Sequence, residues 1–222
     1  FAAVPNPLEP GRNMTQSFVQ FRKRRATMFY RPADGHGLPH SPFSAIVSPR
    51  PIGWISTRAA TGDNLAPYSF FNAVGYTPPQ VMFSGDFSDS VMNAMDSGFF
   101  AVNVVAEAAL QKMNATSAGF PRGTDEFIMA GVEKAECIAI DCPRVADAPA
   151  TLECRVVKLV ELLGPERLLL GEVLGVHIRD DCLVDGYLDP RLYAPAARLG
   201  YHDYAFVREV TTLKRPVLPA KD

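Results

Sequence analysis

Residues 43–84 read FSAIVSPRPIGWISTRAATGDNLAPYSFFNAVGYTPPQVMFS, and this stretch decides the fold. Two runs of branched, aromatic and hydroxyl residues, 43–48 and 52–57, are separated by Pro49-Arg50-Pro51. Residues 64–72 and 81–84 continue the pattern, with turn residues at 60–64. Runs of this composition bounded by Gly, Pro, Asn and Asp predict strands. Their linkers are too short for crossover helices, so the strands must pair antiparallel, as a sheet or a barrel.

The reading extends outward from there. Residues 88–97 predict a short helix that stops at Gly98, residues 99–105 a buried strand, and residues 107–117 a second helix of good formers. Residues 125–130 allow one or two helical turns. Residues 152–163 and 168–178 are long β-rich runs around Gly164-Pro165-Glu166-Arg167, a hairpin signal. Val156, Leu159 and Val160 beside Leu169, Val173 and Val176 are expected to form much of a barrel wall. The expected architecture is mainly β, a barrel with a few peripheral helices.

The chain has 222 residues, 47% hydrophobic and 21% charged, which fits one folded domain and excludes a disordered composition. Lys+Arg number 22 against 24 Asp+Glu, a net charge of −2 that leaves no broad footprint for nucleic acid. No apolar run approaches the roughly 18 residues of a membrane span, so no membrane partner is expected. The first residue is Phe1, and residues 1–27 read as an extension or leader without the apolar core of a signal peptide. Residues 28–216 form the expected domain and 217–222 a tail. The basic run Arg22-Lys23-Arg24-Arg25 reads as a solvated face. The four cysteines form no CxxC and read as free thiols, which places the protein in a reducing cytoplasm. His36 and His40 stand four apart in a Gly/Pro loop, where no helix aligns them on a metal. His177 alternates with apolar neighbours and reads as structural.

The sequence contains no nucleophile elbow, P-loop, Rossmann fingerprint or zinc-protease motif. It contains instead small polar residues beside turns. Ser56-Thr57 end a strand, residues 64–72 set aromatics among amides and hydroxyls, and Ser88, Ser90 and Asn93 open a helix. A helix start carries free N–H groups and the positive dipole end, which suit a phosphate. Ser88 acting only as its own helix's cap is the alternative reading. Together these pieces suit a flat, polar-edged ligand with a phosphate tail, such as flavin mononucleotide (FMN).

The order of motifs resembles the flavin reductase-like family that includes flavoredoxin. The residues that carry the resemblance are 48–57 (SPRPIGWIST), 64–72 (NLAPYSFFN), 76–79, Ser88-Asp89-Ser90 with Asn93, and 99–105 (FFAVNVV). Residues 113–117, 125–127, 150–155, 171–173 and 198–201 complete it. The resemblance implies a homodimeric FMN-binding split β-barrel of Greek-key type, with one FMN per subunit in a groove near the subunit interface. It implies that Ser56, Thr57, Leu65, Ala66, Ser69, Phe71 and Asn72 hold the ring and ribityl chain. It assigns the phosphate to Ser88, Ser90 and Asn93. Arg50, Trp54 and Ser84 are further cofactor candidates; Trp54 and Phe71 as core, and Arg50 as a stiffener of its turn, are the alternatives. The family pattern Lys-Asp-Thr-x-x-Asn appears here with Ser88 and Ser90 in place of Lys and Thr. Loss of the Lys removes a charge-assisted contact of about 1.5–3 kcal/mol.

The activity implied is hydride transfer from NADH or NADPH to flavin, supplying a partner monooxygenase or another acceptor. A self-contained FMN oxidoreductase or oxygenase and a non-turnover electron carrier are the rival readings. No catalytic side chain is assigned. His202 and Tyr204 belong either to the nucleotide-facing site or to a surface loop.

Overall fold

The computed structural model describes residues 27–217. The chain divides into two units between Pro39 and His40. Within the first, Pro32–Asp34 make one 3-10 turn and the residues after it are irregular. The basic run at 22–25, the amino-terminal extension to residue 26 and the tail from 218 lie outside the described residues.

The second unit is built on seven long strands: β2 (Gly53–Ala59), β3 (Gly62–Tyr68), β4 (Phe70–Tyr76), β5 (Pro79–Gly85), β6 (Phe99–Val104), β9 (Ala150–Glu161) and β10 (Arg167–Ile178). All neighbours pair antiparallel in the order β3-β2-β6-β9-β10-β5-β4. The two edge strands, β3 and β4, are consecutive in sequence and joined at Ser69. The sheet therefore curls until its edges meet at a corner without pairing, which is a barrel left open along one seam. A small sheet of β1 (Arg50–Pro51), β13 (Ala196–Arg198) and β14 (Tyr204–Phe206) lies apart from it. Two ribbons, β7 (Lys134–Glu136) with β8 (Pro143–Val145) and β11 (Leu183–Val184) with β12 (Tyr187–Leu188), complete the strands. The helices are α1 (Phe43–Ile46), α2 (Asp89–Ser97), α3 (Leu110–Ala115) and α4 (Glu126–Met129).

Strand β2 is buried on both faces, which explains its unbroken GWIST run. Trp54 packs with Ile52, Leu65, Met113 and Phe127 in one cluster, while Ile55 packs with Val81, Phe83, Phe100 and Leu169 in another. Each such side chain contributes about 1.5–3 kcal/mol through burial. Helix α2 closes one side of the barrel with Val91 and Ala94 and ends on Gly98, whose φ of 80° is the left-handed cap expected of glycine. Gly171 is fixed by packing: a Cβ there would stand 2.4 Å from the Phe100 ring.

Several expectations need correction. Residues 43–48, read as a strand, form α1 instead. Phe43 and Ile46 remain 62% and 70% exposed, so no sheet face rewards an extended conformation. The Pro42 carbonyl accepts from Ala45 and Ile46, and the Arg50 guanidinium binds the Ser44 and Val47 carbonyls, so local bonds override β propensity. The run 64–72 breaks at Ser69 into two strands. The helix over 107–117 splits into a 3-10 turn, Glu107–Ala109, and the short α3. Val176 faces outward and is 57% exposed, while Leu169, Gly171 and Val173 form the inward set of β10. Val156, Leu159, Leu169 and Val173 do line the core. His177 Nε2 donates to the Glu153 carboxylate, a structural partner.

Candidate functional site

The corner at Ser69 leaves two adjoining cavities. One, of about 420 Å³, lies at the start of α2 and is lined by Ala66, Tyr68, Ser88, Ser90, Arg122 and Glu126 among others. The next, of about 460 Å³, is lined by Arg50, Ser69, Phe70, Arg198, His202 and Tyr204 among others. They share Pro67 and Ser117. A third, of about 740 Å³, lies beyond Arg50, Ser69 and Phe70 and takes in Phe71, Asn72 and Ser84.

At the first cavity, β3 brings Asn64 against α2 and α4. The Ser90 hydroxyl donates to Asn64 Oδ1 at 2.6 Å, and Asn64 Nδ2 donates to both Glu126 oxygens at 2.9 Å. The Leu65 amide donates to Glu126 Oε2 at 2.9 Å. All four residues are buried. Burial pushes the Glu126 carboxyl above the usual carboxylate range, against the pull of the Leu65 and Asn64 donors. Ser88 stands at the N-cap position of α2, yet its hydroxyl makes no capping bond. It pairs instead with the Tyr68 hydroxyl at 2.5 Å. Burial also raises the Tyr68 phenol above its usual range. Gly85 makes room for this ring, since a Cβ there would lie 2.7 Å from it.

The first-turn amides of α2 are thus left without a side-chain cap at the wall of a cavity. Arg122 reaches the same place from the loop before α4, its Nη1 3.2 Å from Asp89. The pattern therefore lacks the expected Lys at 88 but has a cation from elsewhere in the chain. Uncapped amides, the Ser88 hydroxyl and one guanidinium form a donor set that fits the phosphate of FMN, while the Ser90 O–H is already given to Asn64. Asp86, Asp89 and Glu126 line the cavity as well, and Arg122 is the cation that offsets them there.

The structure brings Ala66, Ser88 and Ser90 to the first cavity, Arg50 and Ser69 to the second, and Phe71, Asn72 and Ser84 to the third. It does not bring the others to these walls. Trp54 is buried, donates to Thr116 Oγ1 at 2.9 Å and borders a separate small cavity behind the sheet. The Ser56 hydroxyl is turned to the Pro143 carbonyl at 2.7 Å and accepts from Asn103. Leu65 is core, and Asn93 is buried, its Oδ1 lying 3.5 Å from the Thr61 hydroxyl. Thr57 Oγ1 is buried without a partner. Sequence reasoning missed Arg122 and Glu126 as site residues and took Asn64 and Tyr68 only as part of the run 64–72; the signal for Glu126 was its place beside Asp125 and Phe127 in a quoted motif. It also missed Asn103, whose amide joins Trp54, Ser56, Val145 and Thr151 in the sheet interior.

The family model of the flavin reductase like domain matches residues 46–206. The chain belongs to the flavin reductase-like family. Nitrilotriacetate monooxygenase component B from Bacillus cereus is 26% identical, with a TM-score of 0.78 over 85% of this chain and 99% of that one. The 2-nitrobenzoate 2-nitroreductase NbaA of Pseudomonas fluorescens is 28% identical, with a TM-score of 0.73 over 80% of this chain and 91% of that one. A flavin reductase split barrel domain from Shewanella frigidimarina shares the fold, at 19% identity and a TM-score of 0.71 over 78% of this chain and 90% of that one. The open barrel described above is this split barrel. Family and fold support flavin binding and oxidoreductase chemistry. Among the described residues no helix is long and apolar enough to cross a membrane.

Proposed function

We propose that the protein is an FMN-binding oxidoreductase that takes hydride from NADH or NADPH. The observation that carries the reading is the uncapped start of α2, with Ser88, Ser90 and Arg122 around one cavity that opens along Ala66–Ser69 into a second. The start of α2 would hold the phosphate and β3 at Ala66–Tyr68 would flank the ring, which leaves the second cavity to the other substrate. When bound, the flavin supplies the redox chemistry by accepting a hydride. The chain's own residues bind and orient. Asn64 fixes the Ser90 hydroxyl and the Glu126 carboxyl, Tyr68 holds Ser88 away from the cap, and Pro67 and Ser117 form the neck between the cavities. No acid, base or covalent nucleophile is required of the protein, in agreement with the absence of any such motif.

The likeness to a monooxygenase component B supports a role as the reductase partner of a monooxygenase, and a homodimer and a cytoplasmic location remain part of this reading. A second reading, direct action on a small organic substrate, is favoured by the size of the 460 Å³ cavity beside the flavin groove. Equilibrium titration by flavin fluorescence tests the cofactor assignment. FMN is expected to bind one per chain, and Arg122→Ala to weaken it about tenfold, the loss of one charge-assisted contact. Absence of saturable FMN binding by the intact chain would refute it.

A further inference from the structure

The 460 Å³ cavity has two arginines on its wall and no carboxylate: Arg50 and Arg198 line it beside the His202 imidazole, and among the described residues no Asp or Glu does. Arg50 is only 8% exposed. Its Nη atoms donate to the Ser44, Val47 and Leu199 carbonyls, and its Nε, also buried, has no partner among the described residues. Arg198 donates to the Tyr204 hydroxyl and the Tyr201 carbonyl. Neutral oxygens satisfy donors without cancelling charge. Among the described residues neither arginine makes an ion pair; Arg31, Arg144 and Arg215 make none either, but none of those three is buried as Arg50 is, and the other seven arginines are all paired.

The two arginines are also direct partners across β1 and β13. Like charges placed opposite each other on neighbouring strands destabilise a sheet. Burial, and then the Arg198 charge, lower the Arg50 guanidinium below its usual range. A buried cation without a counterion, facing a second cation in a cavity of ligand size, is a costly arrangement unless an anion completes it.

We propose that this cavity is an anion subsite for the second substrate, with Arg50 and Arg198 gripping a carboxylate or phosphate group beside the flavin groove. The subsite itself stands on the arginine pair; its assignment to a second substrate rests on the flavoenzyme reading above. The shared ligand chemistry is a planar or tetrahedral oxyanion, carried either by an organic acid or by the extra phosphate of NADPH.

The test is calorimetric titration of the full chain with benzoate and with inorganic phosphate, in parallel with FMN titration by fluorescence. Arg50 anchors α1, so the informative variants are at the less buried Arg198. The expected result is saturable binding of at least one anion, weakened about tenfold or more in Arg198→Gln and less in Arg198→Lys, as loss of a charge-assisted pair implies. FMN affinity is expected to stay within about twofold, well under one such contact. Saturation by neither anion, or equal binding by wild type and Arg198→Gln, would overturn the proposal. So would an equal fall in FMN affinity, which would give the arginines to the flavin phosphate. Anion binding without FMN binding would support the subsite while refuting the flavin reading. Steady-state comparison of NADPH with NADH then distinguishes the sources: a preference for NADPH that Arg198→Gln abolishes marks the nucleotide phosphate, and benzoate inhibition without such a preference marks an organic acid.

Discussion

Asn64→Ala is the substitution that probes the candidate site most deeply. The side chain accepts from Ser90 at 2.6 Å and donates to both oxygens of the buried Glu126 at 2.9 Å. Truncation leaves a buried hydroxyl without its acceptor, about 1 kcal/mol, and a carboxylate without one donor group, about 2 kcal/mol when ionised. The expected loss near neutral pH is therefore about 3 kcal/mol, or roughly 6–12 °C in Tm for a chain of this size. The loss depends on pH, and its sign follows from Glu126. The folded-state carboxyl is raised, so it stays protonated to a higher pH than a free carboxyl and becomes charged as pH rises through the raised value. The Asn64 donor favours the charged form, and its removal must raise the carboxyl further. The Tm deficit of Asn64→Ala should accordingly be smaller near the usual carboxylate range than at neutral pH. Thermal unfolding followed by circular dichroism at the two conditions reads this directly. A deficit below about 1 kcal/mol at neutral pH, or one equal at both, would refute the reasoning.

Arg122→Ala should leave Tm within about 1–2 °C, since the Arg122 side chain is 42% exposed and its pair with Asp89 is a surface ion pair; differential scanning fluorimetry checks it beside the FMN titration. The pair Ser90→Ala with Asn93→Ala should lower both Tm and FMN affinity, because both side chains are buried and bonded, so a fall in affinity alone would show that the two are less structural than their burial implies. Glu153→Gln should flatten the acid limb of the stability curve. The Ile138 and Ala139 amides and His177 hold the Glu153 carboxyl below its usual range. Wild type is therefore expected to keep that stability above the usual carboxylate range and lose it as pH falls through the lowered value. Identical acid unfolding of the two proteins would exclude this. Gly171→Ala should cost about 1–3 kcal/mol by overpacking Phe100, read by urea unfolding.

Much of this fold is legible in the sequence because its strands obey local rules. The runs at 52–57, 81–84, 99–105, 152–163 and 168–178 lie where strands form, and Gly98 ends α2. Residues 43–48 are misleading because their β-like composition meets no sheet face, and Arg50, two residues beyond the run, winds their carbonyls into a turn. The candidate site is legible only in part. Ser88 and Ser90 announce themselves as a helix start, but what they do depends on Tyr68, Asn64, Glu126 and Arg122, which the fold alone assembles. Asn64 and Glu126 are 62 residues apart, and no spacing rule links them. The reverse error has the same origin: Trp54 and Ser56 look like site residues by pattern, yet their polar atoms are spent on Thr116 and Pro143.

The central claim is that this chain binds FMN and passes hydride to it. The most direct test is anaerobic titration of the FMN-loaded protein with NADH and, separately, NADPH, following the flavin's visible absorbance. Stoichiometric bleaching by at least one of the two is expected. Flavin that binds but stays oxidised with both would contradict it.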